Sequence, residues 1–236
     1  MNKLNLLLLP GLLNDARLWK DQVSKLSEMV TASVADLTGA DSVTSLAAAA
    51  LTQAPRIRFA LAGLSMGGYV ALEIMRQAPD RVLALALLDT TARPDTPAAI
   101  EARRNLMQLA ESNFPAVMET LLPRQVHPSR LSDTSLVEVI GAMANSVGKE
   151  AFLRQQRAMI GRIDSRPSLP QIWCPTLVLC GREDVITPVE VHEEMAAGIH
   201  GSSLAILEEC GHLSTLEQPE QVTDALREWL LRIQTF

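Results

Sequence analysis

A chain of 236 residues with 47% hydrophobic side chains can bury a sizeable core as one globular domain, removing roughly 70–75% of its unfolded surface from water. Its formal net charge of −6, with no block of Lys or Arg, excludes a phosphate-binding stripe for nucleic acid or an anionic membrane surface. The central apolar run from Val82 to Leu88 falls far short of the roughly 18 residues a membrane span needs.

Taken in order, residues 4–9 form a strand-like apolar run that ends at Pro10-Gly11. That break comes too early for a secretory signal, and no small-x-small cleavage site follows it. Leu18, Trp19, Val23 and Leu26 recur at helical spacing and predict a helix over 16–27. A short strand is expected over 31–35, a turn over 36–42, and an alanine-rich helix over 45–53 closed by Pro55. Beyond it, strands are predicted over 58–62, 81–88, 176–179 and 203–207, with helices over 66–77, 189–197 and 221–233. Such alternation implies βαβ units and an α/β fold built on a mostly parallel, doubly wound sheet.

Between Asp89 and Pro175 the pattern changes to helices punctuated by Pro94, Pro97, Pro115, Pro123, Pro128, Pro167 and Pro170. Residues 90–170 are expected to be a small helical cap inserted into a single domain spanning 1–236, over the carboxyl edge of the sheet. Its apolar positions Leu106, Met107, Leu109, Val137, Ile140 and Met143 are candidates to face a substrate, and Arg124 and Arg154 to meet an acidic leaving group.

The chemistry is expected at Gly63-Leu64-Ser65-Met66-Gly67, where an apolar strand meets an amphipathic helix. A serine at so sharp a turn needs backbone angles that L-residues avoid, and the flanking glycines let the chain double back. The hydroxyl then stands at the strand's end, and the following helix turns its positive end toward a developing oxyanion.

Two later strands lead into loops carrying the partners such a serine requires. Cys180-Gly181-Arg182-Glu183-Asp184 offers a carboxylate, and Cys210-Gly211-His212 an imidazole. The imidazole takes the hydroxyl proton, and the carboxylate fixes the tautomer and stabilises the imidazolium. Glu183 and Asp89 are rival acids for Asp184. His127, His192 and His200 are expected at the surface, and the odd set Cys174, Cys180 and Cys210 as reduced, mostly buried thiols.

These motifs, with Glu217-Gln218-Pro219-Glu220 after His212, make nearly the whole chain resemble enzymes of the α/β-hydrolase fold. The resemblance implies a catalytic triad of Ser65, Asp184 and His212, and an oxyanion hole from the backbone N–H groups of Leu12 and Met66. Where the family commonly has His-Gly, this chain has Pro10-Gly11, and the Asp36-Ser42 turn is contracted. The implied activity is a serine hydrolase cleaving a small carboxylic ester or thioester through an acyl-enzyme. A carbon–carbon hydrolase or lyase using the same residues, or a non-catalytic ligand-binding relic, stands as the alternative. No metal or cofactor is implied, the partner is a small molecule, and the expected compartment is the cytoplasm.

Overall fold

Six apolar runs become strands: β1 (Leu4–Leu9), β2 (Val30–Val34), β3 (Phe59–Leu64), β4 (Val82–Leu88), β5 (Thr176–Gly181) and β6 (Ser203–Leu207). In the computed structural model, which describes residues 3–233, they form one sheet of order β2-β1-β3-β4-β5-β6, every neighbouring pair parallel. β3 is buried along its whole length, as expected of a central parallel strand covered on both faces.

Side-chain alternation divides the core between those faces. Leu7, Leu9, Leu61, Leu85 and Leu87 join helices α2 (Val43–Gln53), α3 (Met66–Gln77) and α6 (Val189–Gly198) on one side. Leu6, Leu8, Ala60, Ala62 and Leu88 meet Trp19 and helix α8 (Pro219–Ile233) on the other. Each fully buried leucine contributes roughly 1.5–3 kcal/mol.

Several boundaries differ from expectation for local reasons. The helix expected over 16–27 opens as a 3-10 turn, Ala16–Trp19, because the Asp15 carboxylate accepts the Arg17 amide; α1 (Lys20–Lys25) then follows. α2 begins at Val43 because the Ser42 hydroxyl caps the Ser45 amide at 3.1 Å. α8 opens at Pro219, since the first helical turn has no use for the missing N–H.

Between β4 and β5 the described residues hold no strand; two long helical segments, α4 (Pro97–Gln125) and α5 (Thr134–Ile160), fill the interval. α4 kinks at Asn113, just before Pro115. α5 breaks at Gly148, whose φ of 76° is one that L side chains rarely adopt. Phe114 and Phe152, close to the two breaks, pack with ring centroids 5.9 Å apart, in a cluster that also takes in Leu13 from the loop after β1.

The chain runs from β1 outward to β2 and returns across the sheet to β3, so strand order reverses between β1 and β3. In open α/β sheets the crevice at the carboxyl ends of such a pair is where ligands bind.

Candidate active site

Ser65 joins β3 to α3 at that crevice with φ 55° and ψ −117°. Such a backbone costs of order 1–3 kcal/mol and persists only where its surroundings enforce it. They do so here by close approach. A Cβ on Gly63 would lie 2.3 Å from the Gly67 carbonyl oxygen, and one on Gly67 2.2 Å from that of Leu9. The Ser65 amide donates to the Leu88 carbonyl at 3.0 Å, and the Thr90 hydroxyl donates to the Ser65 carbonyl at 2.8 Å.

His212 sits between Ser65 and Asp184. Its Nε2 lies 2.8 Å from Ser65 Oγ, and its Nδ1 2.7 Å from Asp184 Oδ2. Asp184 also accepts from the amides of Ile186 and Thr187, at 2.8 and 3.0 Å, and from the Thr187 hydroxyl at 2.7 Å. Burial works to raise the Asp184 pKa, but the His212 charge and these hydrogen bonds outweigh it and hold the carboxyl below its ordinary range. An ionised carboxylate only accepts, so Nδ1 carries the imidazole proton and Nε2 turns its lone pair to the Ser65 hydroxyl. Burial likewise opposes the imidazolium, yet the facing Asp184 charge and hydrogen bond raise the His212 pKa above its usual value. The arrangement can therefore accept a proton from the serine and hold the resulting cation.

Thr187 was not singled out from sequence. Its signal is the Asp-x-x-Thr spacing of a self-closing turn, in which the acid is pinned by the residue three positions on.

The rival acids have other work. Glu183 accepts the Cys210 amide at 3.0 Å. Asp89 is fully buried, accepts the Gly181 amide at 3.1 Å and the Ser214 hydroxyl, and makes no bond to His212. Burial, reinforced by the Asp184 charge, pushes its carboxyl well above the ordinary range.

His192, expected at the surface, is instead completely buried: it lies on the face of α6 turned to the core, and its Nε2 accepts the Thr90 amide at 2.9 Å. Desolvation lowers its pKa to about 4. All three cysteines are free, and burial pushes the Cys180 thiol up to about 12, far from a reactive thiolate.

A cleft of about 240 Å³ opens beside Ser65 and His212. Leu12 lines it, and a Cβ on neighbouring Gly11 would stand 3.3 Å from Ser65 Cβ, so the loops after β1 and β3 meet there. Met66 opens α3, where the first four amides have no carbonyl within the helix. α4 and α5 wall the cleft. Leu106 and Arg124 line it, whereas Met107 and Leu109 pack inside the cluster around Phe152, and Ile140 and Met143 lie in the core. Val137 is half-buried away from the lining, and Arg154 donates to the Thr38 carbonyl at 2.8 Å.

The sequence model of the alpha/beta hydrolase family matches residues 6–225. The chain belongs to that family. It is 27% identical over 235 residues to a pimeloyl-[acyl-carrier protein] methyl ester esterase from Nitrosomonas europaea, covering 92% of each chain. Its fold is similar to that of a thermophilic esterase from Thermogutta terrifontis solved with malate bound, at a TM-score of 0.89 and 33% identity, over 98% of this chain and 91% of the other. An enol-lactonase from Burkholderia xenovorans shares the fold at a TM-score of 0.88 and 24% identity, covering 98% and 92%. These similarities support an enzyme of the hydrolase class.

In this alpha/beta hydrolase the loop bearing His212 is tied to the helical segment above it. Glu217, buried in α7 (Ser214–Glu217), accepts the Leu213 amide at 3.2 Å and the His127 amide at 2.6 Å. Among the described residues no group of three or more His, Cys, Asp or Glu is placed to hold a metal ion. None of their helices is long and apolar enough to cross a membrane.

Proposed function

We propose that the protein is a serine hydrolase that cleaves a small carboxylic ester or thioester through an acyl-enzyme. The observation that carries this reading is the continuous chain of hydrogen bonds from Ser65 Oγ through His212 to Asp184, at 2.8 and 2.7 Å. Its position at the strand-order reversal, beside a cleft, supports it further.

In the first half-reaction Ser65 Oγ attacks the acyl carbon as its proton passes to His212 Nε2. The carbonyl oxygen becomes an oxyanion held by the amides of Met66 and Leu12, and Asp184 stabilises the imidazolium. His212 then returns the proton to the departing alcohol or thiol. Water, deprotonated by the same imidazole, attacks the acyl-enzyme and releases the acid. Residues 90–170 act as the cap that bounds the substrate. Three free thiols suit a reducing, cytoplasmic setting.

Ser65→Ala tests the reading. It should lower turnover of a short p-nitrophenyl ester by about 10³-fold or more with the thermal midpoint retained, and abolish labelling by a fluorophosphonate probe. Retained hydrolysis in a clean preparation rejects the proposal.

A further inference from the structure

The cleft carries a charge that proton transfer among Ser65, His212 and Asp184 does not use. Although the chain is net −6, the described residues lining the cleft include three arginines, Arg103, Arg124 and Arg162, against one aspartate, Asp95. The surplus is two positive charges, opposite in sign to the whole protein.

Asp95 cannot neutralise them. Its carboxylate, 4% exposed, is shared between Arg103 Nε at 2.6 Å and Arg162 Nη1 at 2.7 Å. Arg162 is committed elsewhere, to the carbonyls of Arg93 and Met159 and to the face of the Tyr69 ring, 4.3 Å away. Arg103 is less engaged. Its bonds to the two Asp95 oxygens and to Gln156 Oε1, the last at 3.1 Å, occupy three of about five donors on a guanidinium. Arg124 has neither an ion pair nor a hydrogen bond among the described residues.

Gln156 gives the second, independent sign. It is completely buried in the cleft wall, and because Arg103 donates to its Oε1, the amide has one orientation only. Its Nε2 then has no acceptor. Within this cluster every unmet group is a donor; the unmet acceptor on the cleft wall, Gln125 Oε1, bonds to none of its members. A buried, unmet donor beside uncompensated guanidinium charge calls for an anionic oxygen ligand.

We propose that Arg103 and Arg124 form an anion subsite, with Gln156 as the residue positioning Arg103, and that the ester hydrolysed carries a carboxylate a few bonds from its scissile carbonyl. The substrate class is the half-ester of a short dicarboxylic acid. A short acid suits a cleft of about 240 Å³. The inference rests on the serine-hydrolase reading of the same site.

The experiment compares kcat/KM for monomethyl glutarate with that for methyl pentanoate, which differ in the terminal carboxylate. The protein should prefer the half-ester by about tenfold or more at low salt, with the preference shrinking at high ionic strength. Arg103→Gln should lower that ratio at least about tenfold, mainly through KM, and Arg103→Lys should restore part of it. Arg124→Gln alters an exposed, unpaired side chain, leaves the fold in place, and should lower the ratio severalfold. A binding arm needs no turnover: monomethyl glutarate should bind Ser65→Ala saturably in calorimetry, and about tenfold or more weaker when Arg103→Gln is added.

No preference for the half-ester, equal losses on both esters, or no binding to Ser65→Ala overturns the subsite. Preference for a methyl ester bearing phosphate instead overturns the carboxylate assignment. If neither ester is cleaved and the fluorophosphonate leaves Ser65 unlabelled, the serine-hydrolase reading fails, and the binding arm alone decides the subsite.

Discussion

The main-chain amide of His212 donates to the carbonyl of Gln125 at 3.1 Å, as does that of Leu213. The imidazole is thus suspended from the end of α4 as well as from its own loop, and Glu217 clamps the same junction by bonding to Leu213 and His127. Removing the clamp should loosen the base without touching it. Glu217→Ala leaves the His127 amide without its acceptor, while the Leu213 amide keeps the Gln125 carbonyl, and should lower stability by about 1–3 kcal/mol. It should also lower kcat about 10-fold or more, read by urea melts beside ester turnover. Full activity in a destabilised variant would mean that the clamp serves the fold alone.

The two buried aspartates should respond very differently to amidation. Asp184 holds the Nδ1 proton of His212, so Asp184→Asn should lower kcat/KM by about 10³-fold or more. Asp89 is already pushed toward its neutral form by burial, and Asp89→Asn should lower kcat/KM by less than about tenfold. Comparable losses would give Asp89 a charge role.

The pH profile follows from the raised His212 pKa. The base must be neutral, so kcat/KM should rise with pH through a midpoint above the ordinary histidine value of about 6.5. Thr187→Val removes a hydroxyl bond to Asp184, leaving a more basic carboxylate that partners the imidazolium more strongly but is less firmly held in place. The midpoint should then rise and kcat drop about tenfold. A midpoint that stays fixed would separate Thr187 from the proton chain.

His192 gives the stability curve an acid limb. In the unfolded chain it binds a proton near the ordinary value, about 6.5, whereas in the fold it resists down to about 4. Between those values the unfolded state holds more protons, so stability falls as pH drops through that window. The contribution is about 2 kcal/mol between pH 7.5 and 5. His192→Gln keeps an acceptor for the Thr90 amide and cannot titrate there, so its urea midpoints should vary less with pH than those of the parent.

What could be read from sequence was whatever local pattern dictates. Ser65 and His212 stand at the ends of apolar runs, one in a glycine-framed turn, and parallel alternation alone brings such ends to one edge. His192 was misplaced because helical spacing puts it in α6 but does not say which face α6 turns to β5. The pairing of Arg103 and Arg162 on Asp95 joins residues from α4, the loop before it and the segment after α5. No local spacing announces that meeting, whereas the acid preferred from sequence over Asp89, Asp184, is the carboxylate that lies beside Nδ1.

Gly67 rests against the Leu9 carbonyl with no room for even a methyl group. Anyone seeking to redirect this scaffold by mutagenesis will find the placement of the Ser65 hydroxyl closed to adjustment, because any neighbour large enough to shift it also blocks the chain reversal that creates it. Newly selected variants should therefore collect their changes in α4 and α5, leaving the turn invariant while the surrounding walls diversify.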